Sequence, residues 1–248
     1  MLLNRFHERW IFASLYPISM FNQELQNYLE GFISPVRMNR IKEVISQRTR
    51  HVTVVLEDIW QPQNASAAIR TSECMGLQEV HIIKNGDGYK INKQVVKGAN
   101  KWMEINKYTD FENNTHACLS QLKARGYKIV ATVPSENSQL LTNLDVQDKT
   151  AFVFGSEKNG VSDDVLNMCD SKISIPMFGF TESYNISVSV AISLFHFIHE
   201  SKKQNANWQL SDAEQKDLLE KWTKQCIKKC DLIVQEFFTL HGGKKQAG

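Results

Sequence analysis

The chain has 248 residues, of which 42% are hydrophobic, and it contains only twelve Gly and five Pro. This composition is typical of a globular protein with a sizeable core, and it excludes fibrous, low-complexity and solenoid architectures. The five cysteines are odd in number and scattered, which argues against a secreted disulfide framework and favours reduced thiols in the cytoplasm. A net charge of +2 excludes a strongly cationic or anionic protein, although basic residues are concentrated in residues 37–51 and 84–107.

An apolar run occupies residues 10–21, behind Arg5 and Arg9. Pro17 interrupts the run, no clear cleavage site follows it, and it is too short to cross a bilayer. We therefore expect an N-terminal extension here, or a start codon placed too far upstream, in preference to an export signal, and no association of the protein with a membrane.

Periodicity and turn residues predict the first structural elements after this run. They are helices at residues 23–32 and 35–47, a strand at 51–57, a helix at 64–75 and a strand at 79–83. Gly76 is suited to end the helix at 64–75, and Asn64 is suited to cap its start. The order strand, helix, strand predicts a β-α-β unit of a parallel sheet.

The same alternation continues along the chain. The next predicted elements are a helix at 117–125, strands at 128–132 and 150–154, a short helix at 163–168, a strand at 171–175 and a helix at 185–200. Alternating strands and helices predict an α/β fold whose parallel sheet carries helices on both faces. Ser211 and Glu214 form a capping box that opens one long helix running toward Leu240.

Three regions are expected from this pattern. Residues 1–50 form an N-terminal extension with basic helices, residues 51–200 form the α/β domain, and residues 201–248 form a C-terminal helical extension. No spacing of Cys, His and acidic residues predicts a metal site.

The loop after the strand at 150–154 has the spacing of a phosphate-binding P-loop. Gly155, Gly160 and Ser162 match that spacing, but Val161 stands where a P-loop requires Lys. The chain also lacks the G-x-G-x-x-G pattern of dinucleotide-binding folds. A nucleotide triphosphatase is therefore rejected, and a nicotinamide-dependent dehydrogenase is unsupported.

Three segments carry a family resemblance: NASAAIRT at 64–71, FGSEKNGVS at 154–162 and IPMFGFTESYNISVSVA at 175–191. They resemble the three motifs of the SPOUT class of RNA methyltransferases, in the family's order and spacing, over roughly residues 35–200. Within that class they resemble the TrmH type, which methylates ribose 2′-oxygens with S-adenosylmethionine. The resemblance implies a C-terminal trefoil knot in the sheet and a homodimer with its active site at the dimer interface.

The resemblance also implies where the methyl donor binds. Three loops are expected around it: the loop after residues 128–132, the loop at 155 and the segment 175–185. The implied cofactor-contacting positions are Thr132, Gly155, Ile175, Met177 and Tyr184. Tyr184 departs from the Leu that is usual in this motif, which alters the packing around the adenine but preserves main-chain contacts.

The residues that the resemblance assigns to the reaction are Arg70, Asn64, Glu157, Ser183 and Asn185. Arg70 matches the family's catalytic Arg, which is proposed to activate the ribose hydroxyl. A guanidinium is always protonated, so its safer role is to clamp an RNA phosphate and offset charge on the 2′-oxygen. Both Arg70 and Asn64 are expected at the head of the helix at 64–75. The resemblance implies that the partner subunit supplies these two residues to the active site. Considered singly, these residues have ordinary structural roles, such as helix caps or surface acids.

A guanosine in the D-loop of tRNA is the expected substrate. Basic helices flank the core, and residues 97–102 resemble a segment of the tRNA enzymes. The candidate RNA-binding residues are Arg37, Arg40, Arg48, Arg50, Lys97 and Lys101. Two alternatives stay open: a ribosomal RNA 2′-O-methyltransferase, and an RNA-binding protein of this class that has lost catalysis. DNA is not expected as a partner.

Overall fold

A computed structural model of the chain describes residues 23–85, 98–134 and 137–241. The apolar run at 10–21 and the RNA-binding candidate Lys97 lie outside these residues. The described residues form two compact units: Gln47–Leu210, and residues 23–46 together with residues 211–241. Most described residues of the two expected extensions therefore belong to one unit, whereas residues 47–50 and 201–210 belong to the unit Gln47–Leu210.

Helices and strands alternate along most of the chain. In order, the elements are α1 (Gln23–Glu30), α2 (Pro35–Ser46), β1 (Val52–Glu57), α3 (Pro62–Cys74), β2 (Glu79–Ile83), α4 (Ala99–Trp102), β3 (Glu104–Tyr108), α5 (Asn114–Ala124), β4 (Lys128–Thr132), β5 (Gln139–Leu140), a 3-10 turn (Leu141–Asn143), β6 (Thr150–Phe154), α6 (Asp163–Met168), β7 (Ser171–Ser174), α7 (Ile186–Lys203), α8 (Asp212–Cys226) and α9 (Cys230–His241).

A seven-stranded sheet forms the centre of Gln47–Leu210, in the order β3-β2-β1-β6-β4-β7-β5. Each pair of neighbouring strands is parallel, which confirms the predicted sheet type. Two strands escape the sequence prediction, and both lie at edges of the sheet. β3 reads EINKY and buries only Tyr108, whereas β5 has two exposed residues, so neither shows the apolar run of a central strand.

Helices cover both faces of the sheet, as the alternation predicts. Successive residues of a strand point to opposite faces. Val52, Val54 and Leu56 of β1 pack on one face with α3 and α7. Val55 packs on the other face with α5 and α6. Every residue of β1 is buried, and each fully buried Val or Leu stabilises the fold by about 1.5–3 kcal/mol.

Apolar contacts hold together the unit of residues 23–46 and 211–241. Leu25 and Leu29 of α1 are buried with Phe237 of α9. Inside the same unit, Gln26 Nε2 donates to Thr223 Oγ1 at 3.2 Å. None of the described helices is long and apolar enough to cross a membrane.

The C-terminal segment contains two helices, so the prediction of a single long helix is wrong. Ser211 and Glu214 do form the predicted capping box. However, Ile227 adopts an extended conformation after α8, and Lys229 has a φ of +55° before α9 begins. Neither conformation can continue a right-handed helix, because both break its hydrogen-bonding pattern.

Candidate active site

Three strand ends converge at one edge of the sheet. β6, β4 and β7 are parallel neighbours, so their carboxyl ends lie side by side. Thr132 ends β4, Gly155 follows β6, and Ile175 follows β7. The three loops expected around a methyl donor are therefore adjacent, at the edge where parallel α/β sheets bind ligands.

The loop after β6 is a closed turn and not an open phosphate cradle. Ser156 and Gly160 exchange two backbone hydrogen bonds of 2.9 Å, so these two amides are not directed at a ligand. Gly160 has a φ of +68°, a conformation that favours glycine. A Cβ on Gly155 would lie 2.0 Å from the carbonyl of Gly160. Close approach of the backbone therefore requires glycine at position 155.

Hydrogen bonds join side chains from all three motifs. Asn64 Nδ2 donates to Glu157 Oε1 at 2.6 Å, and Asn185 Nδ2 donates to Asn64 Oδ1 at 3.0 Å. Glu157 Oε2 also accepts from the backbone N of Trp60 at 3.3 Å. The two side-chain bonds link residues 93 and 121 positions apart in sequence, so the tertiary fold assembles them. We call Asn64, Glu157 and Asn185 the Asn64 cluster.

The direction of these hydrogen bonds is determined at both ends of the cluster. Asn185 caps α7 and accepts the backbone N–H of Ser187 on its Oδ1 at 2.9 Å, so its Nδ2 is left to donate to Asn64. At the other end, an ionised Glu157 can only accept. Asn64 uses its other N–H on Gln61 Oε1 at 3.3 Å. Both N–H groups of Asn64 and its Oδ1 are therefore bonded within the chain, so Asn64 serves to position Glu157 and Asn185.

Two predictions about Asn64 need correction. α3 begins at Pro62, and Gln61 is its N-cap, so Asn64 lies in the first turn and does not cap the helix. Pro suits the first helical position because the amide there needs no partner within the helix. Asn64 is also bonded to Glu157 and Asn185 of its own chain, so a partner subunit is not needed to supply it.

Arg70 lies apart from the Asn64 cluster of its own chain. It is in the C-terminal half of the thirteen-residue helix α3, not at the head of the helix as predicted. Six helical residues correspond to about 9 Å along the axis and about 240° of rotation, so Arg70 and Asn64 face different directions. The side chain of Arg70 is exposed.

The remaining residues predicted for the donor pocket lie around the three strand ends. Thr132 Oγ1 donates to Val153 O at 2.9 Å and ties β4 to β6. Tyr184 OH donates to Pro176 O at 3.2 Å, which closes the 175–185 segment on itself. Met177 is partly exposed, and Ile175 is partly buried against the core. Ser183 is exposed in the same segment.

The prediction that Arg48 binds RNA is wrong. Its side chain is 1% exposed and lies within the unit Gln47–Leu210. The guanidinium donates to Leu77 O at 2.9 Å and pairs with Glu73 at 2.7 Å. A buried guanidinium that is already paired cannot reach a phosphate.

The other RNA-binding candidates differ in exposure. Arg50 is largely occupied by ion pairs of 3.0 Å with Glu79 and 2.9 Å with Glu104. The described candidates that the fold leaves exposed are Arg37, Arg40 and Lys101. These three stay predictions as RNA contacts.

Glu57 is a buried acid beneath the loop after β6 that the sequence reasoning does not identify. Its carboxylate accepts from Thr115 Oγ1 at 2.6 Å and from both N and Oγ of Ser162 at 2.8 Å. These bonds tie the start of α6 and α5 to the end of β1. In the sequence, an acid directly at the end of an apolar strand is the signal that predicts a buried, hydrogen-bonded carboxylate of this kind. Among the described residues, no three His, Cys, Asp or Glu side chains lie close enough together to hold a metal ion.

The SpoU rRNA Methylase family model matches residues 51–195, which include all three motifs. The chain belongs to the SpoU methylase family. This SpoU methylase is 40% identical over 205 residues to the tRNA (guanosine(18)-2'-O)-methyltransferase of Borreliella burgdorferi, which covers 83% of this chain and 92% of that protein. The enzyme of the same name from Thermus thermophilus is 34% identical over 181 residues, covering 73% of this chain and 89% of that protein.

The fold of the SpoU methylase is also found among solved structures. The A. aeolicus TrmH/SpoU tRNA modifying enzyme superposes with a TM-score of 0.67 at 30% identity, covering 81% of this chain and 99% of that chain. The resemblance inferred from the three motifs and the α/β fold expected from it are thereby confirmed.

Proposed function

We propose that this SpoU methylase transfers a methyl group from S-adenosylmethionine to the ribose 2′-oxygen of guanosine 18 in the D-loop of tRNA. The relatives described above are named for this reaction. The observation that carries the proposal is the Asn64 cluster, because one chain of hydrogen bonds joins all three motifs beside the converging strand ends.

S-adenosylmethionine, when bound, supplies an electrophilic methyl group on a sulfonium sulfur. The residues that would hold it are Thr132, Gly155, Ile175, Met177 and Tyr184. They fit such a molecule because Ile175 and Met177 offer partly exposed apolar surface beside the main-chain groups of three strand ends. None of the five is cationic, so none repels the sulfonium. The resemblance further supports a knotted C-terminal part of the sheet around this pocket.

The residues of the chain orient the acceptor ribose and stabilise the charge that develops on its oxygen. Asn185 and Ser183 are exposed at the start of α7 and bind the ribose or its phosphate. Asn64 and Glu157 position Asn185 through the cluster. Arg70 clamps the phosphate and offsets the negative charge that develops on the 2′-oxygen as the hydroxyl proton passes to water.

A homodimer with Arg70 acting on the partner's cluster is part of this proposal. Arg70 and the Asn64 cluster of the same chain face different directions on α3. In a dimer, Arg70 of one subunit would instead act at the cluster of the other. α7 also exposes an apolar stripe in which Val188 and Phe195 are 43% and 63% exposed, at helical spacing around Ile192. Exposed apolar surface of this kind is typical of an interaction site.

The activity is tested with purified full-length protein, methyl-labelled S-adenosylmethionine and separate tRNA and ribosomal RNA substrates. We expect label in tRNA at the ribose of guanosine 18, and none in a matched transcript with adenosine at that position. Label in ribosomal RNA alone, or no transfer to either RNA, would overturn the proposal.

The dimer is tested by mixing two inactive variants, Arg70→Ala and Asn185→Ala. If Arg70 acts across the interface, a mixed dimer contains one intact site, and the mixture regains activity that neither variant has alone. Unfolding and refolding the two variants together ensures that subunits exchange. A mixture that stays inactive while forming mixed dimers would contradict this arrangement.

A further inference from the structure

Trp60 is a large aromatic residue that the fold leaves 71% exposed. It lies in the loop between β1 and α3, four residues before the first motif. Aromatic side chains of this size usually pack into the core, and an indole ring offers a flat π surface for stacking. An exposed Trp beside a candidate RNA site therefore suggests contact with a nucleotide base.

The backbone around Trp60 is anchored to the Asn64 cluster. Trp60 N donates to Glu157 Oε2 at 3.3 Å, and Pro62 begins α3 two residues later. On the other side, Asp58 has a φ of +50°, and its carboxylate accepts from Asn85 N at 2.7 Å. The backbone of Trp60 is thus fixed to Glu157, which is linked through Asn64 to Asn185, a residue proposed to bind the ribose.

The indole also lines a cleft of about 1960 Å³ at the carboxyl ends of β1, β2 and β6. Phe111, which is 50% exposed, lines the same cleft. Acidic side chains outnumber basic ones among the described lining residues, with Asp110, Asp163 and others against two lysines. Such a wall disfavours an RNA phosphate, but it accepts an uncharged base that carries N–H donors.

We infer that Trp60 stacks on the base of the guanosine whose ribose is methylated, and so positions its 2′-oxygen at the Asn64 cluster. This inference rests on the proposed function. Stacking on an aromatic ring is a common mode of recognition for unpaired bases, because each base has a π face. The role assigned to Trp60 is a positioning role that does not involve the methyl donor.

The test compares Trp60→Ala and Trp60→Phe in methylation of intact tRNA and of tRNA with an abasic ribose at position 18. On intact tRNA, Trp60→Ala should lower kcat/KM about 10- to 100-fold, whereas Trp60→Phe, which can still stack, should stay within a few-fold of the parent. On the abasic tRNA the two variants and the parent should be equal. S-adenosylmethionine affinity should be unchanged in both variants.

Phe32→Ala is the matched control, because Phe32 is a 50% exposed aromatic residue outside the cleft lining. It should leave kcat/KM unchanged on both substrates. A Trp60→Ala variant with parental kcat/KM on intact tRNA, or with the same loss on abasic tRNA, would overturn the inference. A parent protein that does not methylate tRNA at all would instead overturn the proposed function.

Discussion

Two carboxylates at opposite ends of the central strands have opposite environments. At the carboxyl ends, Glu157 is exposed and is held by Asn64 and the backbone of Trp60. At the amino end of β2, Glu79 is 2% exposed and is bonded to Arg50, Arg125 and other groups. The exposed carboxylate can still meet a ligand, whereas the buried one is committed to the fold.

The pKa values of the buried groups around Glu79 are shifted from their ordinary values. Burial alone would raise the pKa of Glu79, but the hydrogen bond from Arg125 and the charges of His81, Arg50 and Arg125 outweigh burial and lower that pKa. Burial lowers the pKa of His81 to about 4, against the attraction of Glu79. Burial and the nearby Glu79 raise the pKa of Tyr127. The same residue type, Glu, is therefore committed to the fold at one end and exposed at the other.

The largest effect is expected at the exposed end, from Arg70→Ala. Loss of the guanidinium should reduce methyl transfer to tRNA by about 10²–10³-fold or more, because it removes charge stabilisation at the reacting oxygen. S-adenosylmethionine affinity and thermal stability should not change, since Arg70 is exposed. Single-turnover kinetics measure the rate of transfer, and calorimetric titration measures the affinity. Arg70→Lys, which retains charge without the bidentate fork, should give a rate between those of the parent and Arg70→Ala. Parental turnover in Arg70→Ala would refute the role.

At the buried end, Glu79→Gln should act on stability. Removing this charge leaves the guanidinium groups of Arg50 and Arg125 without their buried partner. The free energy of unfolding should therefore fall by about 3 kcal/mol. This value is at the lower end for buried ion pairs, because Arg125 is partly exposed. Urea denaturation measures the change. Glu43→Gln, at an exposed surface pair, is the matched control and should change stability by less than about 1 kcal/mol. Equal effects of the two substitutions would contradict the distinction between the ends.

Acid should destabilise the protein through the same buried end. The pKa of His81 is about 4 in the folded state, below the ordinary value of 6.5 that it takes in the unfolded chain, so the unfolded chain binds more protons between these values. The stabilising contribution is therefore complete above pH 6.5 and is lost as the pH falls toward 4, and Glu79 acts in the same direction. We expect a loss of about 2 kcal/mol between pH 7 and 4.5 from His81.

The pH dependence can be assigned with two histidine variants. His81→Asn should remove this part of the pH dependence of the unfolding free energy, whereas His116→Asn, at an exposed position, should retain it. A pH profile that is the same in both variants would show that His81 is not the group responsible.

The smallest effect is expected from the exposed cations outside the site. If Arg37 and Arg40 contact tRNA phosphates, the double substitution to Ala should weaken binding only a few-fold at moderate salt. It should also lower the slope of log Kd against log salt by about 1–2, because fewer counterions are released. Lys216→Ala, an exposed lysine of the same unit, is the control and should leave the slope unchanged. An unaltered slope in the double variant would show that α2, which carries Arg37 and Arg40, does not contact the RNA.

Local patterns predicted the central part of the fold and failed where local patterning is weak. β1, α3 and β2 follow from a β-branched run, a helical segment and Gly76, whose φ of +84° suits only glycine. β3 and β5 were outside the prediction because edge strands do not need a continuous apolar run. The break between α8 and α9 was also missed, because capping signals mark starts more clearly than interruptions.

The sequence by itself determined the sheet type, the three motif loops and the family, because these depend on residues close together along the chain. Only the tertiary structure decided that Asn64 bonds Glu157 and Asn185, that Arg48 is buried, and that Arg70 lies apart from the cluster. The Asn64 bonds depend on strand order and helix packing that bring together residues about a hundred positions apart in sequence. The burial of Arg48 depends on packing against residues 25 and 29 positions away, and the place of Arg70 depends on where α3 begins. No local pattern encodes these partners and this burial.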